Sequence, residues 1–331
     1  MPAKAGTQSN VLGPDLRRGD SILNPAIAAP LGRSWTEDEA FAYCSDLTRS
    51  HYENFPVGSF LIPKDLRPAV HCLYAFMRTA DDFSDEDRQA GDEARRMGWL
   101  NRWEEMLTDC EGGKATHPIF LALGAVLRRY DLPARCLHDL LQAFKMDVTV
   151  RRYATQAELQ TYCRYSANPV GRLILTLFGC RDEELYLLSD AVCTGLQLAN
   201  HWQDVAIDLK KDRIYLPQED MNRFGVTENQ LFNFASPQPS PEGRGCSEAA
   251  GEAEKFRQLM AFEVARARQF FAQGRALPEK VRGRLRWELR FTWQGGVRIL
   301  DKIEDAGFDV FTRRPVVSKM DWAAIALKCL L

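Results

Sequence analysis

Apolar residues recur at steps of three and four through almost the whole 331-residue chain. The pattern fills 36–50, 66–86, 95–108, 117–130, 134–150, 156–179, 183–208, 254–273, 278–302 and 320–330. That spacing lays one apolar face along each α-helix. Alternating runs of the strand type are nearly absent, and no repeat of fixed period is visible. An all-α fold is therefore expected. Two soft stretches interrupt the pattern. Residues 1–33 mix Pro, Gly and polar residues without periodicity and read as a flexible tail. Residues 235–254, "ASPQPSPEGRGCSEAAGEAE", read as a disordered loop insert on the surface. The remainder, 34–331, is long enough to enclose one large core.

Composition removes several functional classes. The net charge of −2 gives no basic field for nucleic acid. Nine cysteines without a CxxC pair point to reduced thiols in a cytoplasm, not to a disulfide framework or a zinc site. The best apolar run, "VGRLILTLFGC", is short and carries Arg172, so no membrane-spanning helix is expected. No uninterrupted apolar stretch at the start suggests a secretory signal.

The stretch "RTADDFSDE" places Asp81, Asp82 and Asp85 at the end of a helix. On a helical wheel Tyr74, Arg78, Asp81 and Asp85 share one face. Leu66, Val70, Leu73 and Met77 form the adjoining apolar stripe. The acids therefore border the buried side, and they oppose the helix dipole. A solvated acidic helix end explains a lone cluster equally well. A second cluster weakens that explanation. In "LQLANHWQDVAIDLKKDRIYLP", Asn200, Asp204 and Asp208 step by four, and Lys211 and Arg213 follow. Facing each other, four carboxylates and one amide oxygen make a hard-oxygen site suited to two or three Mg²⁺ ions. Each such ion prefers one or two carboxylates, with waters and phosphates completing the octahedron. A diphosphate is the matching bridging ligand, and its neutralisation makes it a leaving group.

The pairing of "DDFSD" with "NHWQDVAID" and "DRIYLP" in a helical chain resembles the squalene/phytoene synthase family. The resemblance runs from about Trp35 onward, leaving out the 235–254 stretch. It implies a single isoprenoid-synthase-like helical domain with a central cavity. It implies Asp81, Asp85, Asp204 and Asp208 as metal-diphosphate residues, with Asn200 as a helper. It places Arg78, Lys211 and Arg213 near the phosphates and Tyr74 in the pocket. The segments "HYENFPVGSFLIPKDLRPAVHCLYAF" and "YCRYSANPVGRLIL" look most like the branch that ionises presqualene diphosphate and adds water in bacterial hopanoid synthesis. Partner enzymes making presqualene diphosphate and reducing the hydroxylated product are then expected. A bilayer surface, at the inner membrane, is a candidate peripheral contact for such lipophilic compounds.

The departures from the condensing members narrow this further. Those members usually carry Arg where this chain has Gln203 and an acid where it has Ile207. They carry small hydroxyl residues at Tyr52 and Asn54, and Ala-Gly at Asn168-Pro169. With phosphate-binding groups lost, the site is expected to handle one diphosphate. Aromatic walls shelter isoprenoid tails and attract a cation. Phe55, Tyr74, Tyr162, Tyr165, Phe178 and Trp202 are the candidates, although core packing is the commoner role for each. His51, Glu53, Asn54, Asn168 and Arg172 could position water, and Gln203 could contact the diphosphate. No Gly-rich dinucleotide fingerprint is present, so NADPH is not expected. Two rivals stand beside this reading. One is a condensing prenyl synthase making presqualene diphosphate or phytoene. The other is a non-catalytic assembly protein that kept the fold, against which the four intact aspartates speak.

Overall fold

A computed structural model describes residues 24–28, 33–50, 61–85, 92–235 and 246–330. The helices are α1 (Glu37–Ser50), α2 (Arg67–Asp85), α3 (Glu93–Glu111), α4 (Pro118–Tyr130) and α5 (Arg135–Thr149). Then come α6 (Gln156–Ser166), α7 (Asn168–Leu177), α8 (Glu183–Gln203), α9 (Val205–Lys210) and α10 (Gln218–Phe224). The series ends with α11 (Glu228–Ala235), α12 (Cys246–Gln273), α13 (Gly283–Asp305) and α14 (Lys319–Leu330). Among the described residues the β structure is one isolated parallel bridge, Arg152 to Ile214. The fold is all-α, as the periodicity predicts. Also among the described residues, no helix is long and apolar enough to cross a membrane.

Local chemistry sets several boundaries. Thr36 and Glu39 form a reciprocal cap at the start of α1, with Thr36 N donating to Glu39 Oε2 at 2.9 Å. Asp182 caps α8 by accepting from Glu184 N at 2.8 Å. The expected helix 156–179 is broken at Asn168-Pro169, where Pro suits the first turn of a new helix. The expected helix 183–208 bends at Asp204, which closes α8 and opens α9.

Both soft stretches need correction. Within the expected tail, Pro25–Ala28 is helical, Ile27 is fully buried, and a His117 ring nitrogen bonds the Ala26 carbonyl at 3.1 Å. Within the expected loop, residues 246–254 belong to α12. The Ala and Glu of "SEAAGEAE" are strong helix formers, and Phe256, Leu259 and Met260 anchor the helix they extend. Residues 236–245 lie outside the described residues.

Two cores flank a cavity. One gathers Phe76, Phe83, Trp103 and Phe120 from α2, α3 and α4. The other gathers Leu198, Trp202, Leu259 and Phe271 around α8 and α12. α8 packs against α6, α7, α12 and α13. The cavity, about 300 Å³, is walled by Leu73, Tyr74 and Met77 of α2, Ile174 of α7, Leu196 of α8 and Leu289 of α13.

Gly274 shows how closely these helices approach. A Cβ there would lie 2.8 Å from the Leu188 carbonyl oxygen and 2.4 Å from Val192 Cγ2, both on α8. Backbone cannot rotate away as a side chain can. Gly274→Ala should therefore destabilise the fold by about 1–3 kcal/mol through overpacking. A thermal melt unchanged from wild type would contradict this packing.

Candidate active site

The apolar stripe of α2 faces the core, and the acids follow one turn beyond Met77, the last residue of α2 that lines the cavity. Arg78 lies between them, 3.2 Å from Asp81 and 2.5 Å from Asp82. One turn on, Asp85 accepts from Lys211 Nζ at 2.9 Å and lies 3.5 Å from Arg213. The second motif reaches the same place from α8 and α9. Backbone bonds from Asp204 N to Asn200 O and from Asp208 N to Asp204 O, both 2.9 Å, carry the four-residue step through the bend. Asn200, on the last turn of α8, is exposed. After α9 the chain passes Asp212 in the left-handed region, φ 55°, and turns Arg213 inward. The parallel bridge then holds this strand-like segment against residues 151–154, with Ile214 N donating to Arg151 O at 2.9 Å.

Arg213 joins the two motifs. Beyond Asp85, its guanidinium donates to the Asp147 carbonyl at 2.7 Å and lies 3.8 Å from the Asp147 carboxylate. Tyr162 donates to that carboxylate at 3.0 Å and Tyr215 at 3.4 Å. His201 stacks on Tyr215 with ring centroids 3.7 Å apart. On the far side, Arg314 holds Asp204 through Nε and through Nη2 at 3.0 Å. The chain's own cations thus offset the acids in this structure.

The remaining charge shows in the titration behaviour. Burial, then the neighbouring Asp85, pushes Asp81 up to about 6. Burial, then Asp204, pushes Asp208 up to about 7. Asp147 also rises, chiefly through burial, and it adds to the repulsion felt by both. Carboxylates this reluctant to ionise together are suited to an added cation. Among the described residues no three His, Cys, Asp or Glu side chains converge as a ready-made metal nest. The donor set, pairs of carboxylates from two helices, fits Mg²⁺ that keeps waters and phosphate oxygens as its other ligands.

Several expected site residues sit elsewhere. Asn168 and Arg172 share the face of α7 opposite Val170, Gly171 and Ile174, which line the cavity. Asn168 accepts from Thr194 at 3.1 Å, and Arg172 forks onto Asp190 at 3.0 and 2.6 Å. Tyr165 borders the same outer groove and accepts from Arg164 at 2.7 Å. The new helix starting at Asn168-Pro169 sets that orientation. Gln203 is buried, and its amide donates to the Pro315 carbonyl instead of facing the diphosphate region. Tyr162 is buried against Asp147 and does not line the cavity, while Trp202 is core. Tyr74 and Phe178 do line the cavity. His51, Glu53, Asn54 and Phe55 lie outside the described residues.

Asp147 and Arg314 escaped the sequence reading. Asp147 had a signal, since it falls three residues after Phe144 and seven after Leu140 on the apolar stripe of α5. A lone carboxylate on a buried stripe demands partners. Arg314 sits in "FTRRPVV", where no periodicity points to a site.

Helices enclosing an apolar cavity, with two aspartate-bearing segments about one turn beyond its Met77 and Leu196 walls, define an isoprenoid-synthase-like protein. A profile of the family described as squalene/phytoene synthase matches residues 48–321. The chain belongs to the squalene/phytoene synthase family, whose substrates are isoprenoid diphosphates. It is 38% identical over 190 residues to a hydroxysqualene synthase of Zymomonas mobilis, covering 56% of this chain and 62% of that one. A phytoene synthase of Arthrospira platensis is 28% identical, covering 89% of this chain and 92% of its own. The solved squalene synthase HpnC of Alicyclobacillus acidocaldarius is 40% identical with a TM-score of 0.72, covering 82% of this chain and 95% of that one.

Proposed function

We propose that the protein converts presqualene diphosphate and water to hydroxysqualene and diphosphate. The observation that carries this reading is Gln203. Where condensing relatives usually offer an arginine, this side chain is buried on the Pro315 carbonyl, so it brings no cation for a second diphosphate. Identity of 38–39% to hydroxysqualene synthases over 54–56% of this chain, against 28% to the phytoene synthase over 89% of it, supports it.

Asp81, Asp85, Asp204 and Asp208, with Asn200, would hold Mg²⁺, which neutralises the departing diphosphate. Lys211, Arg78 and Arg314 stand around the same space and can turn from the aspartates to phosphate oxygens, while Arg213 presents its charge from a fixed position. Asp147, Tyr162 and Tyr215 fix Arg213 from behind. The apolar cavity takes the hydrocarbon tails and excludes bulk water, and Tyr74 and Phe178 offer ring faces to the cation. The C–O bond to diphosphate breaks, the cyclopropane C–C bonds of the resulting cation rearrange and the ring opens, a C–O bond to one water forms at the carbon left cationic, and that water loses a proton. No electron transfer is needed, so no NADPH.

The test is incubation with Mg²⁺ and presqualene diphosphate, without NADPH, followed by mass spectrometry. A C30 alcohol is expected. A second reading, head-to-head condensation, draws on the phytoene synthase match along most of the chain. Coupling of farnesyl or geranylgeranyl diphosphate, with presqualene diphosphate left intact, would establish it instead.

Protons should compete with the metal. Asp81 and Asp208 titrate above the ordinary carboxylate range of about 3.9, so the folded chain binds these protons more readily than the unfolded one. The metal-free protein then loses stability from this pair as pH rises from about 4 through 7. Mg²⁺ should raise the melting temperature more at pH ~8 than at pH ~5.5. Glu263, held near 8 by burial, titrates in the same direction, so the Mg²⁺-induced shift is compared with that of Asp208→Asn. Equal shifts at both pH values in wild type would contradict the assignment.

A further inference from the structure

α14 is amphipathic in an unusual sense. One face, Asp321, Trp322, Ile325 and Cys329, packs on α13. The helices run antiparallel: Arg298 holds Asp321 at 2.8 Å, Trp322 lies on Gly295, and Arg290 donates to the Cys329 carbonyl at 3.0 Å. The opposite face carries Met320, Ala323, Ala324 and Leu327 in the open. Met320 is 83% and Leu327 61% exposed, and Val316, just before the helix, is 47% exposed. Such side chains on a free surface ask for a cover.

The charges around the face say which cover. Exposed Lys319 and Lys328 flank it at either end, and Arg313 precedes it. The one acid from 310 to 330, Asp321, is turned away and neutralised by Arg298 and Lys302. Beyond the end of α14, the start of α13 adds exposed Arg282 and Arg284, and nearby Glu279 is held by Arg286 and Arg290. The stretch leading into α14 also borders the site, because Arg314 holds Asp204 and Pro315 accepts from Gln203.

We propose that the exposed face of α14, with Lys319 and Lys328, docks the protein on an anionic lipid bilayer. A 12-residue helix of this kind lies in the headgroup plane, with its apolar side chains inserted and its lysines against lipid phosphates. The docking brings the rim of the cavity next to the phase that holds a lipophilic substrate. It rests on the proposed function only for that purpose, since the test below uses no substrate.

The experiment is co-sedimentation of the full chain with vesicles of phosphatidylcholine alone, or with about a third phosphatidylglycerol. Wild type should partition onto the anionic vesicles and release in high salt. Lys319→Ala/Lys328→Ala should weaken partitioning roughly thirty-fold, the loss expected for two basic residues near an anionic surface. Met320→Ser/Leu327→Ser should weaken it on both vesicle types, with unchanged circular dichroism. Absence of wild-type binding, or binding by either variant as strong as that of wild type, would overturn the proposal. So would a dimer in light scattering that Met320→Ser/Leu327→Ser dissolves, because the face would then belong to a second copy. Turnover in detergent is read separately, so a failure here leaves the proposed reaction standing.

Discussion

Asp81→Ala and Asp204→Ala should each lower turnover roughly a thousandfold while leaving the helical circular dichroism intact. The magnitude follows from the several kcal/mol of charge stabilisation that a metal supplies to a leaving group, at about 1.4 kcal/mol per factor of ten. The stability half of the prediction separates this from mere unfolding. Asp81 is held in its site against burial and against Asp85, which push it up to about 6. Its charge is therefore a burden on the metal-free fold at neutral pH. Removing it should leave the melting temperature at pH ~8 unchanged or higher. Asp204 differs, because Arg314 binds it, and Asp204→Ala frees that arginine. Near-normal rates for either variant at modest Mg²⁺ would remove the metal assignment. A large fall in melting temperature for Asp81→Ala would instead make that residue structural.

The second large effect centres on Arg213. It is 10% exposed, beside an Asp147 carboxylate that is 11% exposed. Arg213→Ala leaves that carboxylate buried with only two tyrosines, and breaking a buried pair from one side costs about 3–5 kcal/mol. Activity should fall as well, since Asp85 loses a cation that helps to position it. Asp147→Asn is the informative partner. It removes the buried charge and keeps a group able to accept from Tyr162 and Tyr215. Combined with Arg213→Ala it should recover much of the stability but little of the activity. Chemical denaturation of the four proteins gives the coupling directly. Additive losses in stability would mean that Arg213 and Asp147 do not act as a pair.

These two predictions also mark how far the sequence could be read. The aspartates were legible because their spacing coincides with the helix period, so each motif fell on one face whatever the tertiary fold. The all-α class was legible for the same reason. Arg213 was legible through its nearness to Asp208, but the turn at Asp212 that aims it at Asp147 was not. Asn168 and Arg172 are placed differently because the apolar period from 156 to 179 spans two helices and not one. The break at Asn168-Pro169 rotates them onto an outer groove. Gln203 was misplaced because its partner, the Pro315 carbonyl, lies 112 residues away. Contacts of that range leave no local periodicity. Residues 246–254 show the reverse error, where Gly and Ser outweighed the strong helix formers around them.

The central claim is that the two aspartate motifs ionise one diphosphate and that water ends the reaction. Turnover of presqualene diphosphate with Mg²⁺ in H₂¹⁸O tests it most directly, read by mass spectrometry of the C30 product. The account predicts an alcohol carrying one heavy oxygen, formed without NADPH. A C30 hydrocarbon, or an alcohol without the heavy oxygen, would contradict it.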